Sequence, residues 1–138
     1  MRLAFYRGRH KGFRGLLDAA VRWWTRGPYS HVELVLEDGT CWSASARDGG
    51  VRSKRINTAS GNWDVFEIGG DEAAAALWFE AHRGRKYDFL GLFSFVWRPC
   101  YGEDSRYFCS EAIAAALGVA EPWRFDPNTL HAALSLRG

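Results

Sequence analysis

HVELVLEDGTCWSAS, residues 31–45, reads as two short strands around a tight turn. Val32, Leu34 and Leu36 alternate with His31, Glu33 and Val35, so a strand over 31–36 separates the two sets onto opposite faces. The wholly aliphatic set is a core face. Asp38-Gly39 supplies the turn, and a return strand follows near 41–46. Two registers are open. A two-residue loop at Asp38-Gly39 sets Leu34 opposite Ser43 and turns Ser43 and Ser45 away from His31. A loop that takes in Thr40 sets Val35 opposite Ser43 and turns both serines toward His31. Side chains alternate with period two, so one slip exchanges these outcomes.

Outward from the hairpin, LAFY at 3–6 reads as a short edge strand. Phe13, Leu16, Leu17, Ala20, Val21 and Trp24 recur at three- and four-residue steps, which predicts a helix with one apolar stripe, ended by Gly27-Pro28. Trp23 lies a third of a turn from that stripe, where half-exposed packing and a docking role are both open. Val51 marks a short strand within the Gly-, Ser- and charge-rich stretch 47–60, and WDVFEI, 63–68, is another. Asp71 caps a helix through Ala73–Ala76 and His82, with Gly84 as its C′ residue. YDFLGLFSFVW, 87–97, reads as a buried short helix or irregular segment, and 98–108 as a loop. An Ala-rich helix then covers about 109–117 and closes at Gly118, and Asp126-Pro127 opens a last one. The predicted class is α+β, a small antiparallel sheet packed against helices, forming one domain over 1–138.

Composition bounds the function. Apolar content of 47%, with seven Trp and nine Phe, excludes a disordered chain. No run of about 18 apolar residues predicts a transmembrane segment. The basic start lacks an apolar segment behind it and does not read as a signal peptide, so a cytoplasmic location is expected. Cys41, Cys100 and Cys109 form neither a disulfide framework nor a zinc pair, so free thiols and no metal or cofactor are expected. Arg2, Arg7, Arg9, Lys11, Arg14, Arg22 and Arg26 face only Asp18 across residues 1–26. That basic region suits an acidic protein partner, an anionic membrane surface or plain solvation, and no nucleic-acid signature accompanies it.

RYFCSEAIAAAL, 106–117, places Cys109 at the mouth of a helix, where unpaired N–H groups stabilise a thiolate and an oxyanion. His31, on the strand face it shares with Glu33, is the candidate base, and a structural core role for both Cys109 and His31 is equally open to the residues alone. An imidazole needs a third group to orient it: Glu33 is one choice, and Ser43 or Ser45 is the other if the register turns them to that face. Cys41 reads as a small buried hydrophobe, Cys100 as a spectator, and His82 as a partner of a helix C-terminus. His10 and His131 receive no role.

In order, Ser30-His31-Val32, Trp42-Ser43-Ala44-Ser45 with Gly50-Val51, Gly84-Arg85-Lys86-Tyr87-Asp88 with Gly91, and Phe108-Cys109-Ser110-Glu111 span about three-fifths of the chain. This ordered set resembles the circularly permuted branch of the NlpC/P60 papain-like cysteine hydrolases, the YiiX/YebB-like proteins. The resemblance implies a permuted papain-like fold, with Cys109 as nucleophile, His31 as general base and Tyr87 as an oxyanion or substrate contact. The third catalytic residue of that family is usually a Glu in a Glu-Ala pair on the strand after the histidine. Ser43-Ala44 stands in that place here, so either Glu33 or a backbone carbonyl orients His31, or activity is reduced or lost. The expected function is hydrolysis of an amide or peptide bond, as in peptidoglycan, through a Cys-His acyl-enzyme. Hydrolysis of lipid-like acyl esters or amides is the neighbouring alternative. A catalytically silent binding component of a larger assembly, such as a phage virion, is the alternative from another class.

Overall fold

The computed structural model describes residues 1–88 and 106–135. Among these residues the architecture is α+β, a mixed sheet packed against four α-helices. The strands are β1 (Arg2–Tyr6), β2 (His31–Val35), β3 (Cys41–Ser45), β4 (Gly50–Lys54), β5 (Trp63–Glu67), β6 (Lys86–Tyr87) and β7 (Arg106–Tyr107). The helices are α1 (Phe13–Thr25), α2 (Glu72–Ala81), α3 (Cys109–Ala116) and α4 (Pro127–Ser135), with a 3-10 turn at Pro122–Arg124. The order across the sheet is β5-β1-β2-β3-β4-β6-β7, antiparallel except for the parallel pair β6–β7.

Two expectations about the sheet are corrected here. LAFY is not an edge strand, because β1 pairs β2 on one side and β5 on the other. The sheet is not purely antiparallel, because Arg106–Tyr107, expected to be loop, forms β7 against Lys86–Tyr87. Tyr87 therefore lies in a strand, and the rest of the 87–97 segment from 89 onward lies outside the described residues, as do 98–105 and Cys100.

The β2–β3 register matches neither alternative. Leu34 pairs with Trp42 and Val35 with Cys41. The turn tightens on Gly39, at φ 83, and the Leu36 N–H donates to the Thr40 carbonyl. Trp42 and Ala44 then join Val32 and Leu34 in the main core, and alternation leaves Cys41, Ser43 and Ser45 on the face of His31 and Glu33.

That core lies between the sheet and α2, α3 and α4. Leu3, Phe5, Leu34, Phe79, Ile113 and Leu130 are fully buried in it, each contributing roughly 1.5–3 kcal/mol of transfer free energy. Phe79 of α2 stacks on Trp42 with ring centroids 5.4 Å apart. α3 buries Ala112, Ile113 and Ala114 in this core and packs against β2 and β3. Asp71 caps α2 by accepting from the Ala74 N–H at 2.9 Å. Asp126 caps α4 by accepting from the Asn128 and Thr129 N–H groups. The C-cap of α2 is His82, so Gly84 lies one residue beyond the expected C′ place, at φ 81, its N–H donating to the Val51 carbonyl. α1 is the helix the periodicity predicts, but none of its residues whose burial is described is buried.

Candidate active site

His31 is the first residue of β2, placed by its ladder partner Tyr6 on β1. Two residues on, Glu33 has no exposed surface. A carboxylate so buried must be paired or neutralised, and Glu33 is paired three times. Its Oε1 accepts from His31 Nε2 at 2.7 Å and from Arg52 Nη2 at 2.5 Å, and its Oε2 accepts from Arg52 Nη1 at 2.7 Å. Arg52 reaches it from β4, two strands away. Ser43, the β3 residue paired with Arg52, is small enough for the guanidinium to cross over it. The outer end of Arg52 is fixed as well, because its Nε donates to Asp48 Oδ2 at 2.7 Å, and Lys54 Nζ meets the same oxygen at 2.6 Å. Asp48, Arg52, Glu33 and His31 thus form one continuous charged chain across three strands.

His31 is the inner end of that chain, and Cys109 acts on it. Cys109 is the first residue of α3, within the main core, and 3% exposed. Burial drives the His31 imidazolium toward losing its proton, but the charge of Cys109, a hydrogen bond with it, and the hydrogen bond and charge of Glu33 outweigh burial and raise the pKa to about 9. For Glu33 burial acts upward, and the Arg52 and then His31 hydrogen bonds and charges overcome it, leaving the carboxylate below its usual range. An imidazolium held by a buried carboxylate, with its proton further favoured by Cys109, is the result. The edge of Trp63 lies over the imidazole, with ring centroids 6.4 Å apart.

Glu33 and Ser43, the two alternative orienters, are separated by the hydrogen bonds. Ser43 is fully buried and its hydroxyl donates to the Val32 carbonyl at 2.7 Å. It makes room for Arg52, and Glu33 holds the imidazole. Tyr87 is brought to the same place by Gly50, which pairs with Lys86 in β6. Burial, then the charges of Cys109, Asp88 and Glu111, push its phenol well above its ordinary pKa, so the hydroxyl keeps its proton. Glu111, in the first turn of α3, reaches back to accept from the Phe108 N–H at 3.4 Å.

Arg52 and Asp48 are absent from the sequence-based set. A signal for Arg52 existed, since Val51 inward places Arg52 on the other face, and a strand carboxylate beside His31 calls for a cation. Other residues fall as expected. Cys41 is 1% exposed and His82 Nδ1 donates to the Trp78 carbonyl at 2.7 Å. His10 links Tyr6 to Asp18, and His131 sits among the rings of Phe5, Tyr29 and Phe66.

Among the described residues no group of three or more His, Cys, Asp and Glu converges as a metal site. No helix there is long and apolar enough to cross a membrane. A cavity of about 520 Å³ lies at the C-terminal end of α3, lined by Ile68, Ala74, Leu117, Val119 and Leu134, and not at Cys109. No protein-family model matches this chain, and neither does any curated protein or solved structure.

Proposed function

We propose that this chain is a cysteine hydrolase of the permuted NlpC/P60 papain-like kind, cleaving an amide or peptide bond through an acyl-enzyme. The observation that carries the reading is His31, hydrogen-bonded to the buried Glu33 and raised in pKa to about 9 with Cys109 among the causes. A charged orienter two residues along the same strand replaces the one that Ser43 cannot supply, and a carboxylate holds an imidazolium about twice as strongly as a neutral group does.

The steps follow from these positions. His31 takes the Cys109 thiol proton, and the sulfur attacks the carbonyl carbon, forming a C–S bond as the C=O electrons move onto oxygen. First-turn N–H groups of α3 and the Tyr87 phenol are the donors for that oxyanion. Collapse breaks the C–N bond, and the imidazolium gives its proton to the departing amine. Water then attacks the thioester, His31 takes its proton, and the carboxylic acid leaves as the thiolate returns. An acyl ester follows the same steps with an alcohol as leaving group, so the chemistry serves both substrate classes.

The 3% exposure of Cys109 is the observation on the side of a silent binding domain. Labelling with iodoacetamide, located by mass spectrometry, separates the readings. An enzyme labels at Cys109 faster than at Cys41 and Cys100, and His31→Ala removes that preference. Equal labelling of the three thiols, or a Cys109 refractory in native protein, sinks the hydrolase.

A further inference from the structure

α1 is mounted with its faces reversed. Its polar side makes the attachments to the body: Asp18 accepts from His10 Nδ1 at 2.5 Å, Arg22 donates to the Arg7 and Gly8 carbonyls, and Thr25 accepts from Asn128. Its apolar side, Phe13, Leu16, Leu17, Ala20 and Trp24 with Trp23 at the margin, faces outward. Phe13 is 75% exposed, Leu16 67% and Trp23 77%. A helix of this length is marginal in water on propensity alone and normally gains its stability by burying the apolar face. Here that gain is left to whatever covers the face.

The charge around the helix says what fits. Arg9 and Lys11 stand exposed just before it and Arg26 just after it. Asp18, the one acidic residue of the first 26, is bound to His10 on the inward side. Leucine, phenylalanine and tryptophan on one face, with basic residues at both ends, match a helix lying in the plane of an anionic bilayer. There the acyl boundary takes the apolar side chains, indole rings sit at headgroup level, and phosphates meet the cations. An acidic protein groove would meet the cations but has no need of a continuous apolar stripe about three turns long that carries two indoles.

We propose that α1 is an interfacial anchor that docks the protein on anionic lipid surfaces. The inference stands independently of the reaction at Cys109. The test is co-sedimentation of the full chain with phosphatidylcholine vesicles carrying about one-third phosphatidylglycerol, beside pure phosphatidylcholine vesicles. Binding is expected only to the anionic vesicles, with a blue shift of tryptophan emission, and about 0.5 M NaCl weakens it. Leu16→Asp/Leu17→Asp and Arg9→Gln/Lys11→Gln/Arg26→Gln should each weaken it about tenfold or more. Both variants alter exposed side chains, and an unchanged thermal melt and circular dichroism spectrum verifies their fold. No binding to anionic vesicles overturns the proposal, as does binding that both variants retain. Self-association abolished by Leu16→Asp/Leu17→Asp, without vesicle binding, assigns the face to a second copy and overturns it too.

Discussion

Glu33→Gln is the sharpest perturbation of the charged chain that ends at His31. The substitution keeps size and one acceptor oxygen but replaces the other oxygen with an NH2 donor. All three of the hydrogen bonds Glu33 accepts come from Arg52 and His31, so at least one buried donor then faces another donor. Removing one member of a buried ion pair typically destabilises by 3–5 kcal/mol, and the low end applies because Arg52 keeps Asp48, giving about 3 kcal/mol. In urea at neutral pH this lowers the unfolding midpoint by roughly 1–2 M. The double variant Glu33→Gln/Arg52→Met should lose less than the sum of the singles by more than about 1 kcal/mol, because it removes the orphaned charge as well. There is a pH signature. His31 has a folded pKa of about 9 against an ordinary 6.5. Its stabilisation, up to about 3 kcal/mol, is therefore fully present below pH 6.5 and lost as pH rises through 9. Glu33→Gln should flatten that alkaline decline. A midpoint shift below roughly 0.3 M would refute the reasoning, since a buried charged pair does not lose an acceptor at so small a cost.

Ser43→Ala should cost only about 1 kcal/mol, the hydroxyl bond to Val32, and leave Cys109 labelling unchanged. Ser43→Leu, by filling the space Arg52 crosses, should reproduce most of the Glu33→Gln loss in the same urea titration. Gly50→Ala should loosen the β4–β6 junction, because Gly50 sits at φ 142 and an added Cβ would collide with the Arg85 carbonyl. Raised hydrogen exchange of the Lys86 and Tyr87 amides, relative to wild type, checks it. Burial opposes the ionisation of Asp48, but its bonds to Lys54 and Arg52 prevail and hold its carboxyl far below the ordinary range. Its contribution is present above the ordinary carboxylate pKa and lost as pH falls. Asp48→Asn should therefore destabilise at neutral pH and erase part of the acid-induced decline seen in wild type.

The sequence was most legible where the signal is local. Asp71 and Asp126 cap the helices they were expected to cap, and the alternation of Val32, Leu34 and Leu36 identifies the core face of β2. The Cys109 helix ends at Gly118 for the same reason: a glycine at φ 69 meets no Cβ penalty. Long-range pairing was not legible. LAFY is central only because Trp63–Glu67 returns to it from far along the chain, and β6 and β7, two residues each, carry no periodicity. The hairpin register turned on how many residues close one loop, a question of backbone geometry that two reasonable counts both missed. Periodicity also predicted the α1 stripe without telling which way it faces. In the site, Cys109 and His31 were readable as residue types suited to thiol chemistry, whereas the choice between Glu33 and Ser43 depended on where each hydrogen bond goes.

The central claim is that His31 is held by the Glu33 carboxylate, with its proton further favoured by Cys109. Titration of the His31 imidazole by NMR, in wild type and in Cys109→Ser, tests it most directly. The account predicts a pKa of about 9 in wild type, with a marked fall in Cys109→Ser as burial loses its strongest opponent. A His31 that titrates near 6.5 in both proteins would contradict it.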